Sequence, residues 1–355
     1  MWRESLKTFI GNLQTNKSNI LLTVILGISV GLNINKFLPI FSENIYFLIG
    51  LPFILAFFIL MIFNMKVTLI ILLFSRALLD PFMNTTKLAG MGGGFGLGGV
   101  LNLLIIIFTL ISVFKGSKQS IKNYAVLPWI IFLALCFSSI AYSPVPDKAL
   151  KLFINLVSYF CMFLLAFYCV KTKMDKKFWI RIIIFSSCLP VLFANFDFLK
   201  GGKFYADAGI RISGSFTHPN ILAFYLVLII AIIFLALKGE IFNLSGAKVN
   251  LLRLYLLNLL VLLFITKTRS AWISCWSLVF VFGLLKDKKY LFLSLALLPL
   301  FMISPLVAER FRDILSGHNR AINGGLDSLS WRMKLWESSI TSIKEKLFFG
   351  HGLAS

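Results

Sequence analysis

The chain has 355 residues, of which 59% are apolar and 14% charged, and a formal net charge of +21. Soluble domains carry about 45–50% apolar residues, so a soluble enzyme is excluded and the sequence reads as an integral membrane protein. The positive charge does not describe a nucleic-acid surface, because lysines and arginines gather in alternate loops, the pattern of membrane topology.

Runs of about 17–25 apolar residues can each cross a bilayer as a helix, and about eleven candidates follow one another here. They are 18–33, 45–63, 67–80, 97–114, 126–142, 150–170, 178–198, 219–237, 251–266, 270–285 and 289–307. The expected fold is all-α, a polytopic transmembrane bundle over 1–307 followed by an extracytoplasmic loop over 308–355. One set of loops holds the positive charge: Arg3, Lys7 and Lys17; Lys66; Lys115, Lys118 and Lys122; Lys171 to Arg181; Lys238, Lys248 and Arg253; Lys286, Lys288 and Lys289. That set belongs inside, which puts the N-terminus in the cytoplasm and 308–355 outside. The first apolar run has no small-residue cleavage site after it and reads as a retained signal-anchor. Cys136, Cys161, Cys169, Cys188 and Cys275 all fall inside predicted spans without metal-ligand spacing, so they are expected to fill space.

In chain order, the first long outside segment is Asp80 to Gly99. Residues 94–99 match G-x-G-x-x-G, but that fingerprint needs a strand before it and a helix after it, so a flexible or re-entrant loop is expected. Arg76 and Asp80, four apart, are placed to pair along one helix face. The second segment runs from Lys200 to His218. The third is the C-terminal piece, where Met333, Trp336, Ile340, Ile343 and Leu347 form one helical stripe behind a possible N-cap at Ser330. Lys334, Glu337, Lys344 and Glu345 lie off that stripe, and packing on the bundle or lying on the outer surface is expected. The chain stops at Ser355 in mid-loop, so a longer natural protein with a closing span is expected.

The most informative stretch is Arg211-Ile-Ser-Gly-Ser-Phe-Thr-His-Pro-Asn220, which opens the apolar run from Ile221 to Leu237. Pro219 suits the first helical position, with Thr217 or His218 as cap. The helix runs inward, so its N-terminus, an anion-binding end, faces outside. Arg211 adds a fork suited to phosphate oxygens. A second cluster, Thr266-Lys-Thr-Arg-Ser270 followed by Ala-Trp, makes a very tight outside turn. Arginine at such a depth is costly and usually faces a polar cavity, which singles out Arg269, with Lys267 as an interfacial anchor. A third and weaker one is Arg332-Met-Lys-Leu-Trp336, with Gly350 and Gly352 beyond it. No carboxylate pair at glycosidase spacing, Asp-x-Asp motif or Cys/His cluster accompanies these residues. The candidate site is cationic, without metal or other cofactor, and suits a lipid diphosphate whose tail lies in the bilayer.

The order Arg…Gly-x-Phe-x-His-Pro-Asn, then Thr-x-Thr-Arg-Ser-Ala-Trp, then Arg-x-x-x-Trp and Gly-x-Gly resembles the O-antigen ligase and polysaccharide polymerase superfamily of bacterial membrane glycosyltransferases. The resemblance runs over roughly residues 75–355 and is specific at Arg211–Asn220 and Thr266–Trp272. It implies a GT-C-like helical enzyme of the bacterial inner membrane, with its active site on the periplasmic side. The implied reaction moves a glycan from an undecaprenyl-diphosphate donor to a lipid or glycan acceptor, in the synthesis of lipopolysaccharide O-antigen, capsule or exopolysaccharide. Arg211 and Arg269 would hold the diphosphate; Gly214, Thr217, His218, Asn220, Ser270 and Arg332 would shape the site. The family's catalytic histidine would lie beyond Ser355, since His351 and His318 do not match its setting, and no general base is assigned. Ligase and polymerase share the donor site. A flippase of lipid-linked oligosaccharide is the alternative from another class; it should show internal repeats and polar residues near the midplane, whereas here the ionisable residues cluster at the outer edge.

Overall fold

The structure, a computed structural model, describes residues 60, 65–78, 80, 97–114, 125–170, 173–205, 209–238, 246–303 and 328–355. Its helices are α1 (Met65–Leu78), α2 (Leu97–Phe114), α3 (Val126–Ile140), α4 (Pro146–Cys169), α5 (Lys173–Ser186) and α6 (Cys188–Leu199). They continue as α7 (Pro219–Lys238), α8 (Gly246–Ile265), α9 (Arg269–Leu285), α10 (Lys288–Ile303) and α11 (Ser328–Glu345). Among the described residues, helix lies in every predicted run from the third to the last. The first two runs lie outside the described residues apart from Leu60, as do residues 81–96 of the glycine-rich loop.

Among the described residues four helices are long and apolar enough to cross a membrane: Pro146–Phe167, Met174–Leu199, Pro219–Lys238 and Gly246–Ile265. Three shorter apolar helices, Gly98–Val113, Val126–Ile140 and Arg269–Leu285, accompany them. A crossing takes about 20 residues, and of the about eleven expected runs the first two lie outside the described residues apart from Leu60. The chain divides into two compact units, Met1–Trp179 with His351–Ser355, and Ile180–Gly350.

In the first unit α1, α2 and α4 share a core of Leu72, Leu101, Ile105, Phe108, Cys161 and Leu165. Within the α2–α4 contact Asn102 Nδ2 donates to Asn155 Oδ1 at 2.7 Å, an interhelical bond of about 0.6–2 kcal/mol in an apolar medium. Helix α3 lies on α4 through stacked Trp129 and Phe160 and through Phe137 against Phe153. Much of the rest of α3 is bare: Leu127 and Leu135 are about two-thirds exposed. Such a face is a liability in water and ordinary in lipid. Arg76 and Asp80 form the expected pair at 4.0 Å.

The second unit is organised around α7. Leu222, Ala223, Leu226, Ile229, Ile230, Ile233 and Ala236 follow the helical period and are almost wholly buried, with α8 and α9 packed against the helix. Between α5 and α6 the helix breaks at Ser187. Pro190 cannot donate to the carbonyl four residues back, so the ladder is interrupted there. The Ser187 hydroxyl donates to the Ile184 carbonyl at 2.6 Å and accepts from the Tyr255 hydroxyl of α8 at 2.7 Å.

The segment from Lys200 to His218 is not only loop. It contains a short antiparallel ladder, β1 (Lys203–Tyr205) with β2 (Gly209–Arg211), pairing Lys203 with Arg211, so the described residues are mostly helical with one short hairpin. Helix α11 starts at Ser328, which places Ser330 inside it and not at its cap. Its apolar stripe is uncovered by protein: Met333, Trp336, Ile340, Ile343 and Leu347 are all more than half exposed.

Candidate functional site

The decapeptide at the mouth of α7 is held in place from below by α6. Asp197 Oδ2 accepts the main-chain N–H of Ser213 at 2.7 Å and of Gly214 at 2.9 Å. Two amides converging on one carboxylate form a strong, charge-assisted anchor. Gly214 has φ +56°, and a Cβ there would stand 3.1–3.2 Å from the Ala194 backbone and side chain. Only glycine meets both conditions at low cost. Lys203 Nζ reaches the buried Ser213 hydroxyl at 3.0 Å.

His218, not Thr217, caps α7. Its Nδ1 accepts the Asn220 N–H at 3.1 Å, and its carbonyl accepts from Ile221 and Leu222. Pro219 supplies the first helical residue, where its missing N–H costs nothing. The cap also fixes the imidazole tautomer. With Nδ1 accepting, a neutral ring carries its proton on Nε2, and the Nδ1 lone pair is committed to the cap. Thr217 is exposed.

The turn between α8 and α9 is three residues, Thr266 to Thr268. Thr266 N–H returns to the Leu262 carbonyl and Lys267 N–H to that of Phe264. The Leu263 carbonyl takes both the Thr266 hydroxyl and the Trp272 indole N–H, while Trp272 stacks on Phe264 at 4.8 Å. Lys267 stands at φ +53°, in the left-handed conformation that closes many helices.

Arg211 joins the two mouths. It is 3% exposed. Nε donates to the Thr266 carbonyl at 2.7 Å; Nη2 donates to Asn220 Oδ1 at 2.7 Å and to Thr268 Oγ1 at 2.8 Å. Tyr205 lies against the guanidinium, with 5.8 Å from Cζ to its ring centroid, and meets His218 edge-on. The cation thus satisfies a carbonyl at the C-terminal end of α8, where positive charge is favoured.

Thr268 is the N-cap residue of α9, whose first turn begins at Arg269. Threonine in that position ordinarily turns its hydroxyl onto its own helix. Here the hydroxyl meets Arg211 and Asn220, and no side chain caps α9. The predicted residues Arg211, His218 and Asn220 are therefore brought together with the Thr266–Thr268 turn, and Arg269 and Ser270 follow directly from it. Arg269 is half-buried and Ser270 exposed. Arg332 and Trp336 lie exposed on α11. Gly352 and Gly350 follow that helix, and Gly352 belongs with the first unit. Sequence reasoning missed Asp197, Tyr205, Thr268 and Ser213. The first two were passed over because they lie outside the motifs.

A sequence model of the family described as O-Antigen ligase matches residues 254–355, which supports placing this chain in that superfamily. The match contains Arg269, Ser270, Arg332, Gly350 and Gly352; it begins after Arg211, Gly214, Thr217, His218 and Asn220. No curated protein and no solved structure matches the chain.

Proposed function

We propose, taking the O-antigen ligase domain over residues 254–355 as the premise, that this membrane protein transfers a glycan from an undecaprenyl-diphosphate donor to a lipid or glycan acceptor. The observation that carries the reading is the uncapped start of α9. The Thr268 hydroxyl accepts from Arg211 and donates to Asn220, and it does not cap the helix that starts at Arg269. A helix N-terminus beside an arginine is a place where phosphate oxygens bind.

In the reaction, the acceptor hydroxyl attacks the anomeric carbon, the bond from that carbon to the diphosphate oxygen breaks, and the diphosphate leaves with added negative charge. Fixed positive charge at that oxygen lowers the barrier, because it acts more strongly on the transition state than on the bound donor. The two arginines divide this work. Arg211, buried and committed to three acceptors, fixes the mouths of α7 and α9 and contributes its field. Arg269, at the head of α9 and less buried, contacts the diphosphate. The side is the extracytoplasmic one, as the loop charges imply, which suits a lipid-linked donor in the bacterial inner membrane.

The hydroxyl proton needs a base. His218 in its capping tautomer is not that group, and the role stays unassigned among the described residues. The test is surface polysaccharide made by cells carrying Arg269→Ala in place of the wild-type gene. Loss of transfer with normal membrane insertion is expected, and normal product would overturn the reading.

A further inference from the structure

The Gly-x-Gly after α11 has a partner that the motif alone does not reveal. Residues 351–354 are partly buried, whereas residues 331–349 are exposed throughout. The burial comes from the turn joining α3 to α4. Ser143 Oγ donates to the Leu353 carbonyl at 2.7 Å across 210 positions of sequence, and it accepts the Val145 N–H at 3.2 Å. Gly352 lies backbone to backbone on the same turn. A Cβ there would stand 2.6 Å from Ser143 Cα, 2.9 Å from its nitrogen and 3.0 Å from the Tyr142 carbonyl oxygen. At φ +95° the residue is also in a conformation that side chains rarely adopt. Space and backbone angle each demand glycine.

We propose that Ser143 and Gly352 are positioning residues: they form a clasp by which the α3–α4 turn holds the end of the O-antigen ligase domain. The receptor half, Tyr142–Ser143, lies outside the matched residues 254–355, so the domain depends on a helix pair that its own sequence pattern does not contain. The turn at residues 351–354 is thereby fixed on the α3–α4 turn within one compact unit, and a turn released from such a contact gains conformational entropy. The role of the clasp in transfer rests on the function proposed above; the clasp itself does not.

The experiment uses the full chain in bacterial membranes. Leu353→Cys is labelled with a membrane-impermeant maleimide in three backgrounds: otherwise wild type, Ser143→Ala, and Gly352→Ala. Labelling is expected to be slow in the first and severalfold faster in the other two. Ser143→Thr, which keeps the hydroxyl, should return both slow labelling and transfer. Surface polysaccharide should fall in Ser143→Ala and Gly352→Ala, and the yield and melting temperature of the purified Ser143→Ala protein should stay near wild type. Equal labelling rates in all three backgrounds would overturn the clasp. Unchanged transfer with faster labelling would overturn its positioning role. If Gly352→Ala fails to insert, Ser143→Ala against Ser143→Thr decides the matter alone. Retained transfer in Arg269→Ala would instead strike the transferase reading and leave the labelling result standing.

Discussion

Arg211 donates through Nε to the main-chain carbonyl of Thr266, 2.7 Å away and 55 residues further along the chain. That carbonyl closes α8 and has no helical partner of its own. A buried guanidinium there does two things at once. It satisfies the end of one helix, and through Asn220 and Thr268 it fixes the starts of two others.

The division between the two arginines has a direct consequence. Arg211→Ala removes three charge-assisted bonds from a buried site, each of about 1.5–3 kcal/mol though not additive, and should lower the melting temperature as well as abolish transfer. Arg211→Lys cannot restore the fork geometry and should behave in the same way. Arg269→Ala should abolish transfer with little change in melting temperature. Thermal unfolding of the detergent-purified variants, read beside surface polysaccharide, checks the contrast.

His218 is predicted to act as a cap and not as a base. His218→Ala should cost about 1 kcal/mol, the value of a lost N-cap, and reduce transfer in step with stability. His218→Asn and His218→Asp supply a capping oxygen and should recover most of both. A variant with full stability and no transfer would show that the imidazole has a chemical role.

The anchor under the decapeptide should be sensitive to shape and charge. Asp197→Ala leaves the Ser213 and Gly214 amides without their acceptor, at about 1–3 kcal/mol; Asp197→Asn keeps an acceptor oxygen and should cost less. Gly214→Ala forces a side chain into the left-handed region, at about 1–2 kcal/mol, and against Ala194 besides. Denaturation midpoints of the three variants should rank accordingly, with Asp197→Asn the mildest.

Lys267 should respond in the opposite direction. Lys267→Gly relieves about 1–2 kcal/mol of left-handed strain and gives back roughly 0.4–1 kcal/mol through the freer unfolded chain. The net is a small gain in stability, read as a raised melting temperature. A fall would mean that the lysine side chain holds the turn by contacts of its own.

Much of this protein was legible one residue at a time. Apolar runs dictated helices because a bilayer leaves backbone groups no partner except each other, and Pro219 marked the start of α7 because proline has no N–H to lose there. The short turn Thr266–Thr268 followed from two apolar runs with almost nothing between them. Local sequence also went astray in definite places. Periodicity gave the stripe on α11 and left two covers open, bundle or membrane surface, since an apolar stripe says that a face needs cover and not what covers it. Three paired residues at 203–205 and 209–211 are too short for a strand pattern to emerge.

What the sequence determined by itself was composition turned into helices, the two arginine-bearing mouths, and the charge that makes them candidate sites for an anion. What only the tertiary structure decided was who holds whom: Arg211 to Thr266, Asp197 to Ser213 and Gly214, Ser143 to Leu353. Each of those bonds joins positions between 16 and 210 residues apart. A hydrogen bond acts over about 3 Å, and its partner is set by how helices pack, a property of the folded chain that no local pattern of residues contains.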